Sequence, residues 1–291
     1  MTPAAEATDA GAAAPRVSSA SGDAPCGVRP APCEVSMSVS FELTGKKLKS
    51  GVKEASDVVA LPGGRFAIVS DTSDRLAVVD ARGQGETFKL EGLKDGKSQL
   101  EGVAYDPVRH HLFVVREEAQ ELRRYTWHHD KNAAPRLEKT FEVDRAGPKN
   151  KGVEGIVFVP ADLSPTGRAQ LLLAKEGNPR ELWMHEGTGR PRYLVTLERE
   201  VHQACSDFSG LAVDPVTGVV FISSDESAVC AQIKLVFRHA RVVGKFLGSF
   251  PLRDARGKAL RRVEGITFDE GGDLLVLTED DGVLRRFARQ E

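Results

Sequence analysis

The sequence predicts an all-β fold, a five-bladed β-propeller in which an N-terminal strand completes the last blade. Three observations carry that prediction. A short motif recurs five times, most copies are followed by three further short apolar runs, and the strand missing from the last copy is present near the front of the chain. The 291 residues include 28 Gly and 15 Pro set between the apolar runs, a distribution that suits strands and tight turns rather than a helical bundle.

The recurring motif opens each repeat: Ser56-Asp57-Val58, Glu101-Gly102-Val103, Glu154-Gly155-Ile156, Ser209-Gly210-Leu211 and Glu264-Gly265-Ile266, at spacings of 45, 53, 55 and 55 residues. Asp106-Pro107, Asp214-Pro215 and Asp269-Glu270 follow three of the copies as turn signals. A second apolar run ends in an acid in every repeat: Phe66–Asp71, Leu112–Glu117, Leu171–Glu176, Val219–Asp225 and Leu274–Glu279. Third runs follow at Leu76, Leu122, Leu182, Ile233 and Val283, and fourth runs near Thr87, Leu137, Tyr193 and Lys245. Four short strands in a period near 50 are the signature of a propeller blade. The fifth repeat stops after three. Val35, Met37, Val39, Phe41 and Leu43 alternate with polar residues, a period-two strand pattern that can supply the outer strand and close the ring. A β-sandwich also uses short strands, but it explains neither the recurrent Glu-Gly nor the displaced strand.

Residues 1–34 read as an Ala/Pro/Ser-rich disordered tail or linker and 35–291 as the propeller domain. No basic and apolar leader typical of a signal peptide is visible in the tail. Net charge is −2, from 40 basic and 42 acidic residues, which gives no footprint for nucleic acid. No apolar run is long enough for a transmembrane helix, and a monomer is expected. Four cysteines allow three pairings. Proximity favours Cys26–Cys33 and Cys205–Cys230, with four reduced thiols as the alternative, and no Cys-x-x-Cys pair suggests zinc. An even cysteine count behind such a leader points to a periplasmic, envelope-associated or secreted protein.

In a propeller the first strand of each blade lines the axis, and the turn after the second strand returns to the mouth where the first begins. Glu101, Glu154 and Glu264 should therefore gather at one mouth with Asp71, Glu117, Glu176, Asp225 and Glu279. Two carboxylates about 5 Å apart repel by about 3 kcal/mol at an effective dielectric near 20. Such a cluster persists if it is protonated, paired with bases, or bound to a cation. The three glutamates are candidate ligands for Ca²⁺, a hard ion taking oxygen donors, with the five turn acids as supporting or alternative ligands. Arg116, Lys151, Lys175, Arg180 and Arg262 offer salt bridges instead, and Arg116, Lys175 and Arg180 could present an anion site. A purely structural reading also stands. Gly after Glu permits close approach at a crowded axis, and the turn acids could accept backbone N–H groups in their own turns.

Leu100-Glu101-Gly102-Val103-Ala104-Tyr105-Asp106 with Leu112-Phe113-Val114-Val115-Arg116-Glu117 resembles the SdiA-regulated, YjiK-like propellers of bacterial envelopes. Val153–Ile156, Lys175–Arg180 and Val263–Phe268 resemble the same pattern, and the likeness spans about residues 35–291. It implies five blades, a Ca²⁺ site near the channel and a cell-envelope location, but no established reaction. A looser likeness extends to NHL-repeat and phytase-like propellers. Ser56-Asp57 and Ser209-Gly210 depart from a full ring of Glu-Gly. Two functions follow: a Ca²⁺-binding module for a small ligand or envelope protein, or a metal-dependent phosphoesterase or esterase-like hydrolase with one channel Glu as base. No catalytic residue is assigned. Ser209, Asp207 and His202 lack the spacing of a nucleophile elbow, the His110-His111 and His128-His129 pairs read as solvated turn histidines, and Trp127 and Trp183 read as packing residues.

Overall fold

The structure, a computed structural model, describes residues 41–49, 52–93, 98–143, 152–187, 193–279 and 282–290; of 41–49 it describes the backbone. The tail, Cys26, Cys33, Lys151 and the part of the expected N-terminal strand before Phe41 lie outside the described residues.

The chain is a propeller-type all-β fold with one short helix among the described residues. Its strands run β1 (Phe41–Lys49), β2 (Ala55–Leu61), β3 (Arg65–Ser70), β4 (Arg75–Asp80) and β5 (Gly85–Lys89). Then come β6 (Leu100–Asp106), β7 (His111–Arg116), β8 (Glu121–Thr126), β9 (Arg136–Glu142), β10 (Val153–Val159), β11 (Gln170–Lys175), β12 (Glu181–His185) and β13 (Tyr193–Leu197). After helix α1 (Arg199–Ala204) follow β14 (Gly210–Val213), β15 (Val219–Ser224), β16 (Val229–Arg238), β17 (Arg241–Pro251), β18 (Val263–Phe268), β19 (Leu274–Thr278) and β20 (Val283–Arg289). Antiparallel pairing groups them into five four-stranded units: β2–β5, β6–β9, β10–β13, β14–β17, and β18–β20 completed by β1. The β1 pairing with β20 is antiparallel, from Phe41 opposite Arg289 to Lys49 opposite Val283. The innermost strands β2, β6, β10, β14 and β18 each pack on the next, and β18 packs back on β2.

Side-chain period explains why the units stack. Successive residues of a strand face opposite sides, so a strand covered on both faces is apolar throughout. β15 sends Val220 and Ile222 into an apolar cluster with the third unit and Val219 and Phe221 into one with the fifth. β11 and β3 divide in the same way, with Leu172 and Ala174 on one face and Leu171 and Leu173 on the other, and Ala67 and Val69 against Phe66 and Ile68. Five apolar seams result, one between each pair of neighbours, including the seam between the fifth and first units. Trp127 and Trp183 are buried in two of these seams.

Two features depart from the repeat. The β16–β17 hairpin is long, with strands of 10 and 11 residues, and the start of β17 pairs in parallel with β13 from Val195 opposite Val242 to Leu197 opposite Gly244. That joins the third and fourth units into one eight-stranded sheet. The helix α1 bridges the same two units, and Val201 is its buried residue.

Packing separates the second cysteine pair. Cys205 packs in the seam between the third and fourth units, and Cys230 in the seam between the fourth and fifth. They pack in different seams and are free thiols, not the expected Cys205–Cys230 disulfide. Burial pushes the Cys205 thiol up to about 12 and the Cys230 thiol well above its ordinary value, so neither ionises near neutrality.

Candidate functional site

Each innermost strand except β14 carries a register irregularity at its first residues: between Ala55 and Asp57, Leu100 and Gly102, Val153 and Gly155, and Val263 and Gly265. The residue skipped by the pairing is Ser56, Glu101, Glu154 or Glu264. A bulge of this kind re-aims one side chain out of the pleat. It brings the three glutamates into mutual electrostatic reach, with the turn acids around them.

The electrostatics record that convergence. Burial first, then the charges of Glu117 and Asp71, push Glu101 up to about 8. Burial, then Asp225 and Glu279, push Glu264 up to about 8. Glu154 is raised well above the ordinary range by burial and by Glu101, Glu117, Glu176 and Glu264. The strongest charges acting on all three are other carboxylates. Glu101 also bonds to the Ser56 hydroxyl.

Sequence reasoning missed one member of the set. Asp57 stands where the other four repeats have glycine, and it is 1 % exposed. Its Oδ1 accepts from Val58 N at 2.7 Å and its Oδ2 from Val103 N of the next inner strand at 2.8 Å. Burial, opposed by these bonds and reinforced by Glu101 and Glu264, holds its carboxyl well above the ordinary range. An acid in place of a glycine at a crowded position was the signal available.

The five turn acids each follow their strand directly; two of them accept a bond from the start of the next unit's inner strand, and a third pairs with the base that leads into its own unit's inner strand. Glu117 Oε1 accepts from Gly152 N at 3.0 Å, Asp225 Oδ1 accepts from Val263 N at 3.0 Å, and Glu279 Oε2 pairs with Arg262 Nη1 at 2.7 Å. The Glu117 and Asp225 bonds reach the next unit rather than the acid's own turn, because the mouth places each turn beside the following inner strand. Asp71 differs: its Oδ1 is buried without a hydrogen-bond partner, and burial and Glu54 raise its carboxyl. Glu176 is near enough to raise Glu154. Asp207 accepts from the Ser224 hydroxyl and from Asp225 N at 3.2 Å.

The bases of this mouth are engaged. Arg116 pairs with Glu121 at 3.0 Å and donates to Ser98 O at 3.1 Å. Lys175 is buried, 4.0 Å from Glu181 and 5.8 Å from the Trp183 ring centre. Arg180 donates to Ser206 O and to His202 O at 3.2 Å, and lies over Phe208.

Oxygen donors only, one of them buried and unpartnered, match a hard cation in kind. Among the described residues, however, no group of three or more His, Cys, Asp or Glu side chains stands in an arrangement that could hold a metal ion. The opposite mouth holds a mainly apolar cavity of about 430 Å³, walled by Val59, Val157, Ala212 and Phe268 with Asp269 and Glu270 on its rim.

Other candidates resolve structurally. Ser209 Oγ lies 3.2 Å from Ser223 Oγ, while His202 stacks on Phe208, so no nucleophilic triad forms. The turn histidines are not simply solvated. Tyr105 Oη lies 3.2 Å from His110 Nδ1 and 3.1 Å from His129 Nδ1, and the His110 and His128 rings are 4.2 Å apart.

Among solved structures the chain is similar to Myxococcus xanthus glutaminyl cyclase, at 14 % identity and a TM-score of 0.59 over 87 % of this chain and 97 % of that one. It is also similar to the PQQ-bound aldose sugar dehydrogenase of Streptomyces coelicolor, at 13 % identity and a TM-score of 0.53 over 87 % and 99 %. At such identities the likeness is one of fold. No curated protein sequence matches the chain. The profile of one family does, over residues 114–283, more than half the sequence: the chain belongs to the SdiA-regulated family.

Proposed function

We propose that the acidic mouth binds Ca²⁺ and that the propeller is a cell-envelope binding module for a small ligand or an envelope protein. One observation carries this reading: Glu101, Glu154 and Glu264 are held together with other carboxylates as their strongest charged neighbours. A cation is the occupant that turns this mutual repulsion into attraction. Calcium tolerates irregular shells of six to eight oxygens, so binding would draw the bulge-borne glutamates and the unpartnered Asp71 oxygen inward. The envelope location rests on the composition of the tail. A phosphoesterase-like reaction is the weaker reading, because Arg116, Lys175 and Arg180 are spent on Glu121, Glu181 and backbone carbonyls rather than left for an anion.

The test is a thermal melt of chelator-treated protein with added Ca²⁺. Binding to the folded state alone adds about 2.7 kcal/mol at one hundred times Kd, a rise of roughly 5–10 °C for a domain of this size. Glu154→Gln should abolish most of that rise. Unchanged melting of the wild type at millimolar Ca²⁺ removes the site.

A further inference from the structure

We propose that the cavity at the opposite mouth binds a small organic cation, an ammonium group on an apolar body. Every inner strand contributes to its wall, through Val59, Tyr105, Val157, Ala212 and Phe268, so the site lies where the five units converge. Its volume of about 430 Å³ falls within the roughly 300–1,000 Å³ of small-molecule sites.

The apolar body follows from the wall. Val59, Ala60, Val157, Phe158 and Val213 line the cavity and are half-buried, so they keep apolar surface whose removal from water favours binding. The polar groups of the wall are largely spent. The Tyr105 hydroxyl is engaged by His110, His129 and Trp127 O, and Thr267 Oγ1 accepts from Ala60 N at 3.0 Å. The apolar character continues onto the rim. Val108 and Val216, one residue beyond the lining Pro107 and Pro215, are 81 % and 70 % exposed.

The charge of the ligand follows from the rim. Among the described lining residues none is basic, while Asp269 and Glu270 are acidic. Asp269 is compensated: Arg286 pairs with its Oδ2, and Gly271 N and Asp273 N donate to its Oδ1 at 2.9 and 3.0 Å. Glu270 is exposed and has no ion-pair partner among the described residues. It stands where the other four units have Pro62, Pro107, Pro160 and Pro215. Its Oε1 accepts from Gly63 N at 2.7 Å, a bond between the fifth and first units that fixes the carboxylate at the mouth and leaves Oε2 for a charged donor. Proline has no N–H, so at the other four positions the rim offers an anion no backbone donor. A cation meets one uncompensated carboxylate there, and an anion meets only repulsion.

The probe is 3-phenylpropylammonium, titrated into the full chain by ligand-observed NMR, with 3-phenylpropanol and 3-phenylpropanoate as comparators. The ammonium should saturate, the alcohol should bind about fivefold more weakly, the scale of an exposed ion pair, and the carboxylate at least tenfold more weakly. Glu270→Gln keeps an acceptor for Gly63 N, so it should leave the melting temperature unchanged and weaken the ammonium about fivefold. Glu154→Gln, at the acidic mouth, should leave ammonium binding unchanged, whether or not that mouth holds Ca²⁺. Val213→Trp should fill the cavity and abolish binding, and if that variant fails to fold the Glu270 result decides. Equal binding of the ammonium and the carboxylate, ammonium binding untouched by Glu270→Gln, binding lost in Glu154→Gln, or no saturable binding would each overturn the proposal.

Discussion

Glu101 and Glu264 show how a backbone irregularity sets the chemistry of a side chain. Placed in regular pleat, each would face one neighbouring seam; placed on a bulge, each faces the other acids. Both carboxyls then hold a proton up to about 8, against the ordinary value of 4.5 that the unfolded chain keeps. The folded state binds more protons than the unfolded state between those limits. Stability from these groups is therefore full below about 4.5 and is lost as pH rises through about 8. Without divalent cations the urea midpoint should fall between pH 5 and pH 9, by a stability loss of at least about 5 kcal/mol, since each carboxyl is raised from 4.5 to about 8 at about 1.4 kcal/mol per pK unit. Glu101→Gln should flatten that slope, and a midpoint that rose over the same window would contradict the assignment. The three glutamates were legible in sequence because they recur. Asp57 was not, because its role depends on Val103 N of a neighbouring strand 46 residues away.

Among the elements, the innermost strands are the most constrained. A Cβ at Gly210 would sit 2.9 Å from Glu264 O and 2.7 Å from Ser223 Oγ. At Gly265 it would sit 2.7 Å from Asp57 Oδ1 and 2.8 Å from Val58 N. At each position one of these contacts is with backbone, which cannot rotate away. Gly265→Ala should cost about 1–3 kcal/mol, measured as a shift in denaturation midpoint, and should weaken the seam that closes the ring. An alanine tolerated without loss would show that the inner strands have slack. The strand positions were readable from period and turn residues. The β16–β17 extension was not, since its turn uses His239 and Ala240 at positive φ of 49° and 60° rather than Asn-Gly, the usual signal. Helix α1 was also unreadable: six residues are too few to display a helical period.

For the whole molecule, stability depends on the ring being closed. The fifth unit has three strands from the C-terminal end and its fourth, β1, from the N-terminal side. Removing residues 41–49 leaves β20 with an open edge, which invites pairing between chains. Such a truncation should melt at least 10 °C lower, given about 2–4 °C per kcal/mol for a domain of this size, and should aggregate on heating. Melting and light scattering on the truncated and intact chains would decide it. Unchanged melting would mean that β1 only decorates the edge.

The sequence by itself determined the repeat, the strand order, the displaced closing strand and the acids that would share one mouth. These follow from periodicity and connectivity, which are properties of the chain read along its length. Tertiary structure alone decided what happens across the chain. It placed Cys205 and Cys230 in different seams, bonded Glu117 and Asp225 to the following unit's backbone, spent Arg116, Lys175 and Arg180 on other partners, and left Asp71 Oδ1 and Gln170 Nε2 without one. Hydrogen bonds and charges act over a few ångströms, and residues that distant in sequence acquire such neighbours only when the ring closes.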